Sequence, residues 1–201
     1  MPNRFPKSGS MKTKPGSRAA ANLEAGKRLP EPQTVFLVGF MGAGKTSVGR
    51  ALSRRLGLPF EDLDDRIQNR QGKTIEQIFA ESGEAEFRRL ETAALRELLG
   101  ELGRSPCVVA LGGGAFVQPD NAALIEEAAV HSVFLDAPVE ELLRRCEQEQ
   151  KERPLRRNPK QFRELYAKRR QSYVKAALHI ETGGKCVDAV AAEVACSLKL
   201  E

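Results

Sequence analysis

The stretch Thr34 to Leu52, TVFLVGFMGAGKTSVGRAL, sets the tightest limit on what this chain can fold into. Thr34 to Val38 is β-branched, apolar and uncharged, the composition of a strand covered on both faces of a parallel sheet. Gly39 to Thr46 then reads G-x-x-x-x-G-K-T, and Ser47 to Leu56 reads as a helix ended by Gly57 and Pro59. Glycines in such a turn let successive backbone N–H groups converge on phosphate oxygens, and the positive end of the following helix adds to that field. The pattern places Gly42, Ala43, Gly44, Lys45, Thr46 and Ser47 around a nucleotide's phosphates. Lys45 would reach the β- and γ-phosphates, and the Thr46 hydroxyl would ligate magnesium. The alternative is an ordinary glycine turn, but here strand, loop and helix fall in register.

A chain of 201 residues can bury a sizeable core as one domain. Its formal net charge of +5 suggests an acidic partner, yet the surplus is local. Residues 1–33 carry seven Lys/Arg against two Glu, and residues 34–201 balance 25 basic against 25 acidic groups. The folded part therefore gives no reason to expect nucleic acid as a partner. Residues 1–33 are rich in Pro, Gly, Ser, Lys and Ala and read as a disordered basic extension, leaving 34–201 as the folded domain. An organelle transit peptide is the second reading, although no Arg-rich amphipathic helix stands out. No apolar run is long enough to cross a bilayer, so a cytoplasmic protein with no membrane partner is expected, and a monomer is the expected state. Cys107, Cys146, Cys186 and Cys196 form no C-x-x-C pair, which argues against a zinc site or a disulfide framework. Cys107 and Cys196 are expected as small core residues.

Beyond the first helix, strands and helices keep alternating. A short strand near Phe60 runs into EDLDD. Thr74 and Gln77 have capping-box spacing before a short helix, and Glu84 to Leu99 reads as a longer helix stopped by Gly100. Cys107 to Leu111 is a buried strand ending in three glycines. Helix over 120–129, strand over 132–135 and helix over 139–150 follow. Such alternation means parallel strands with right-handed crossovers and helices on both faces. Ligands of such sheets sit at the carboxyl ends of the strands, which gathers the cradle, Asp62 and Asp64, and Gly112 to Gly114 into one place.

Asp62 and Asp64 flank Leu63, so in an extended segment both point toward the phosphates, where one carboxylate can hold a metal and the other orient the attacking oxygen. A solvated acidic loop or a helix N-cap at Asp64 is the competing reading. Asp136, after Val133 to Leu135, is the rival metal partner, though Pro138 favours a plain helix start. The glycines of LGGGAF permit close approach of backbone to a ligand, or form a tight turn and nothing more. Arg144 to Gln171 holds eleven Lys/Arg and four Glu, which reads as a charged lid over phosphates or as a solvated helix face. Within it Arg153, fixed by Pro154, and Arg169 stand out. Arg88 and Arg89 follow Phe87, and Glu84, Glu86 and Glu91 are placed to pair with them on a helix surface.

The motifs GFMGAGKTSVG, FEDLDDRI, GEAEFRRLE, LGGGAF and RPL, in that order, resemble shikimate kinase over about residues 34 to 198. The resemblance implies a P-loop kinase fold: three α/β/α layers around a parallel sheet of about five strands, with a mobile lid near 147–160. It implies transfer of the ATP γ-phosphate to the 3-hydroxyl of shikimate, with Mg2+ as cofactor. Carried over, Asp64 binds the substrate hydroxyls and assists proton removal, while Asp62 holds magnesium through water beside Thr46. Arg88 and Arg169 clamp the substrate carboxylate, for which a guanidinium fork is suited. Gly112, Gly113 and Gly114 approach the ring, Phe87 packs near it, Arg145 stacks on adenine, and Arg153 closes from the lid. The chain departs from the family in a slightly longer segment between Arg145 and Arg153, in Gln171 and Ser172 before Tyr173, and in Leu178 where an Asp is usual. A gluconate-type kinase and a non-catalytic nucleotide-binding module are the alternatives. No D-x-x-G or N-K-x-D follows the cradle, against a guanine switch.

Overall fold

The computed structural model describes residues 34–102, 106–128, 130–148 and 158–200. The expected extension over 1–33, most of the expected lid and Arg153 lie outside these residues. In chain order the elements are β1 (Val35–Val38), α1 (Lys45–Leu56), β2 (Phe60–Asp62), α2 (Leu63–Gln71), α3 (Ile75–Leu102), β3 (Val108–Ala110), α4 (Pro119–Glu127), β4 (His131–Asp136), α5 (Val139–Gln148), α6 (Pro159–Tyr173), β5 (Leu178–Glu181) and α7 (Val187–Ser197). A single 3-10 turn, Ala115–Val117, precedes α4.

The strands form one parallel sheet in the order β2-β3-β1-β4-β5, flanked by helices. β1 is central because all four of its residues are buried, with Val35 opposite Val108 on one side and His131 on the other. The chain crosses from β3 to β4 over β1, so the crevice at the carboxyl end of β1 is where such a sheet receives a ligand. α1 buries Val48, Ala51 and Leu52, α7 buries Val190, Ala191, Val194 and Ala195, and these two helices lie against each other.

The capping box before α3 is present, with Gln77 N–H donating to Thr74 Oγ1 at 3.2 Å and Thr74 N–H donating to Gln77 Oε1 at 2.8 Å. Gly83 (φ 76°, ψ 177°) breaks α3 between the two expected helices. The expected stop at Gly100 is not where the helix ends. It runs on to Leu102, whose side chain packs against the core, and Gly100 costs a helix end little. Cys107 is buried as expected, but Cys196 is exposed, because the buried face of α7 runs through Val190, Ala191, Val194 and Ala195. Leu178 opens β5, the fifth strand, which pattern reading left unlocated. Among the described residues no helix is long and apolar enough to cross a membrane.

Candidate active site

The cradle begins where β1 ends. Gly42 has φ 78°, and a Cβ there would lie 2.6 Å from the Leu142 carbonyl, so both conformation and space demand glycine. Ala43 is buried behind the loop, Gly44 precedes the first helical residue, and Ser47 is exposed in the first turn of α1. Lys45 Nζ donates to the Gly39 and Phe40 carbonyls, each at 3.0 Å, which holds the ammonium over the loop. Thr46 Oγ1 donates to Asp62 Oδ2 at 2.8 Å.

Asp62 ends β2 and is also the N-cap of α2, accepting from Asp64 N–H through Oδ1 at 3.1 Å. The extended Asp62–Leu63–Asp64 segment expected from the sequence is therefore corrected: Asp64 sits in the first helical turn and Asp62, not Asp64, caps it. The helix begins here because a capping carboxylate and two further acids in the first turn suit its positive end. Asp64 still reaches the site. A Cβ on Gly112 would lie 2.6 Å from Asp64 Oδ1 and 3.0 Å from Glu91 Oε1.

The rest of the glycine turn is similarly occupied. A Cβ on Gly114 would sit 2.6 Å from Arg88 Nη2 and 2.7 Å from its Cζ. The Gly113 carbonyl accepts from Arg169 Nη1 at 3.4 Å and from the Tyr173 hydroxyl. A Cβ on Gly113 would lie 3.7 Å from the Gly39 carbonyl, so the turn adjoins the cradle. A cavity of about 840 Å³ opens beside it, lined among others by Met41, Phe79, Arg88, Gly114, Leu165 and Arg169. Phe87 is buried under the Arg88 guanidinium, whose Cζ stands 5.2 Å from the ring centroid.

Arg88 and Arg89 have different surroundings. Arg89 bonds Glu86 at the surface. Arg88 Nη1 donates to Glu91 Oε2 at 2.9 Å, and Glu91 is completely buried. The expectation of Glu91 as a surface partner is thus overturned. A signal was present: Glu91 lies in the inward stripe Phe87, Ala94, Leu95 and Leu98, where an isolated acid needs an internal partner. Burial pushes its carboxyl up to about 7, against the pull of Arg88 and Arg169, and Asp64 adds to the rise. Burial pulls the Arg88 guanidinium down, but the Glu91 and Glu84 carboxylates outweigh it and raise its pKa.

Glu91 Oε1 has no hydrogen-bond partner among the described residues. A carboxyl raised from 4.5 holds a proton in the folded chain that the unfolded chain has released. Its contribution to stability is full below about 4.5 and disappears as the pH rises through about 7. Melting curves at pH 5 and pH 8 should therefore show wild type losing Tm relative to Glu91→Gln on going up in pH. Parallel pH dependences would mean that Glu91 does not titrate in this range.

Arg145 stands beside the cradle, donating from Nη1 to the Gly42 carbonyl at 3.4 Å and from Nη2 to Glu141 Oε1 at 2.5 Å and the Thr182 carbonyl at 3.0 Å. Asp136, the rival metal residue, is enclosed elsewhere. Its Oδ1 accepts from Tyr166 at 2.8 Å and from Ala137 N–H at 3.0 Å, and its Oδ2 meets Arg170 Nη2 at 2.8 Å and His179 Nε2 at 3.2 Å. It fastens α6 to the sheet. The role of Tyr173 came from sequence only as a spacing mark, and that of Thr182 not at all, because each acts through a backbone carbonyl or a distant loop.

The geometry agrees with what comparison finds. The family model described as shikimate kinase matches residues 41–199. The shikimate kinase of Geobacter metallireducens is 45% identical over 165 residues, covering 81% of this chain and 89% of that one. The solved shikimate kinase of Acinetobacter baumannii, in complex with shikimate, superposes with a TM-score of 0.75 at 38% identity, covering 83% and 93% of the two chains. That of Aquifex aeolicus gives 0.73 at 36% identity, with 83% and 96% covered.

Proposed function

Since the chain belongs to the shikimate kinase family, we propose that this site transfers the γ-phosphate of ATP to the 3-hydroxyl of shikimate, giving shikimate 3-phosphate and ADP. The observation that carries the reading is the meeting of Asp64, Arg88 and Arg169 at one glycine turn that adjoins the phosphate cradle.

Phosphoryl transfer asks a protein mainly for positioning and charge stabilisation. The cradle amides from Gly42 to Ser47 and the Lys45 ammonium bind the phosphates and meet the charge that develops on the moving group. Arg88 and Arg169 hold the substrate carboxylate, one from α3 and one from α6, which fixes the ring against Gly112 to Gly114. Phe87 supports Arg88 and the ring from below. Asp64 orients the acceptor hydroxyl and takes its proton. Arg145 borders the adenine, and Arg153 closes over the phosphates. Thr46 Oγ1 and Asp62 Oδ2 are hard oxygen donors 2.8 Å apart, a pair that would hold Mg2+. When bound, the ion would supply charge neutralisation on the phosphates. ATP and shikimate are the partners of this reading, and a monomer is enough for it, since every residue named comes from one chain.

A coupled ADP-release assay with shikimate and related acids tests the reaction, and release without dependence on shikimate would refute it. The same assay under magnesium titration separates the two acids. Asp62→Asn should raise the magnesium requirement sharply. Asp136→Asn should leave it unchanged while lowering Tm, because it removes a buried partner of Arg170. The reverse result would move the metal to the end of β4.

A further inference from the structure

A guanidinium offers its donors in one plane, and the edge formed by Nε and Nη2 is one of those that can grip both oxygens of a carboxylate. In Arg88 this edge is taken. Nε donates to Glu84 Oε1 at 3.3 Å and Nη2 donates to the same oxygen at 3.1 Å. The remaining bond, from Nη1, goes to Glu91. We propose that Glu84 is an internal competitor for the substrate carboxylate, holding the receiving edge of Arg88 until an anion able to take both donors displaces it. The proposal rests on Arg88 as the carboxylate reader.

The two acids that hold Arg88 are unequal, which makes one of them exchangeable. The Glu91 side chain is 0% exposed, so separating it from Arg88 would strand a charge inside the protein. The Glu84 side chain is 67% exposed and returns to water when released. An exposed pair four residues apart on a helix contributes little net stability. Position in the chain also favours release. Glu84 follows Gly83, the break in α3, and opens the helical segment that carries Arg88, where a negative charge is favoured by the helix dipole. It lines the same cavity as Arg88, Arg169 and Lys168, so the exchange takes place at the mouth of the substrate site.

Specificity follows from the geometry of the exchange. Glu84 engages the edge with a single oxygen, whereas a free planar carboxylate can give one oxygen to each donor. A ligand that makes one weak contact does not outcompete a tethered acid, and one that makes two does. Glu84 thus weakens every anion that must displace it from Arg88 by one common factor, which leaves a two-point carboxylate bound and a weakly held one-point anion largely unbound.

The test is steady-state kinetics of the full chain carrying Glu84→Gln. The KM for shikimate should fall by about two- to fivefold, the range open to an exposed ion pair. The KM for ATP should stay within experimental error, and chloride should become a stronger competitor of shikimate. In an Arg88→Lys background the same change should have no effect on the KM for shikimate, because the edge being contested is gone. A KM for shikimate that rises in Glu84→Gln would make Glu84 a support that orients Arg88, and an unchanged KM would make the pair inert. Either outcome overturns the competitor. Failure of the underlying reading shows differently: Arg88→Ala would then leave the KM for shikimate intact.

Discussion

Lys45→Met should lower turnover by at least about a hundredfold while Tm stays close to wild type, because electrostatic stabilisation dominates phosphoryl transfer. The lysine begins α1, and its Nζ spans the Gly39 and Phe40 carbonyls, so the ammonium stands where phosphate oxygens would lie. Methionine fits the same stem and keeps the helical propensity, so the fold loses only the polar contacts of a partly exposed ammonium, among them those to the Gly39 and Phe40 carbonyls. Chemistry loses the one side-chain charge that the cradle itself provides. Single-turnover rates beside thermal melts separate the two effects. Near-normal turnover would mean that phosphates do not rest on this residue.

Arg88→Ala should cost about 2–4 kcal/mol in kcat/KM for shikimate, as expected when one member of a buried charged pair is removed. Its loss should fall on shikimate and leave the KM for ATP nearly unchanged. Arg88→Lys is the sharper variant: it keeps the charge beside Glu91 but lacks the planar fork, so it should raise the KM for shikimate with less harm to the fold. Arg89→Ala is the control, since that side chain is 69% exposed and bonds only Glu86 among the described residues. A control as damaging as Arg88→Ala, or equal losses for ATP and shikimate, would reduce the pair to surface charge supporting α3.

What could be read in the sequence divides along physical lines. β1 and the cradle were legible because an uncharged β-branched run, three glycines and a Lys-Thr pair each restrict the backbone in the same direction. That the cradle, Asp62 and Asp64, and the three glycines lie together was legible too, since strand ends of a parallel sheet meet at one edge, and the motif order pointed to the family. Less legible was anything decided by which face of a helix turns inward. Asp64 moved from an extended segment into α2 because the Asp62 carboxylate caps that helix. Glu91 moved from surface to interior because the stripe from Phe87 to Leu98 carries it under Arg88. Cys196 moved the other way for the same kind of reason. β5 escaped notice because, of its four residues, only Ile180 is fully buried, while His179 and Glu181 face solvent at the sheet edge.

The glycine turn after β3 has a geometric consequence for the whole site. Asp64 comes from α2, Arg88 and Glu91 from α3, and Arg169 and Tyr173 from α6, yet all are set against the same three residues of main chain. In an assembly whose parts are each located from the preceding part, small errors accumulate along the series. Here each part is gauged against one datum, so a displacement of any helix alters its own distance to the turn without being passed on to the others. Main chain without side chains is a suitable datum, because it has no rotamers to change and is anchored by the ladder of β3. A methyl group at Gly112 or Gly114 would therefore act as a shim, offsetting the acids from the arginines by an amount fixed by the van der Waals radius of carbon.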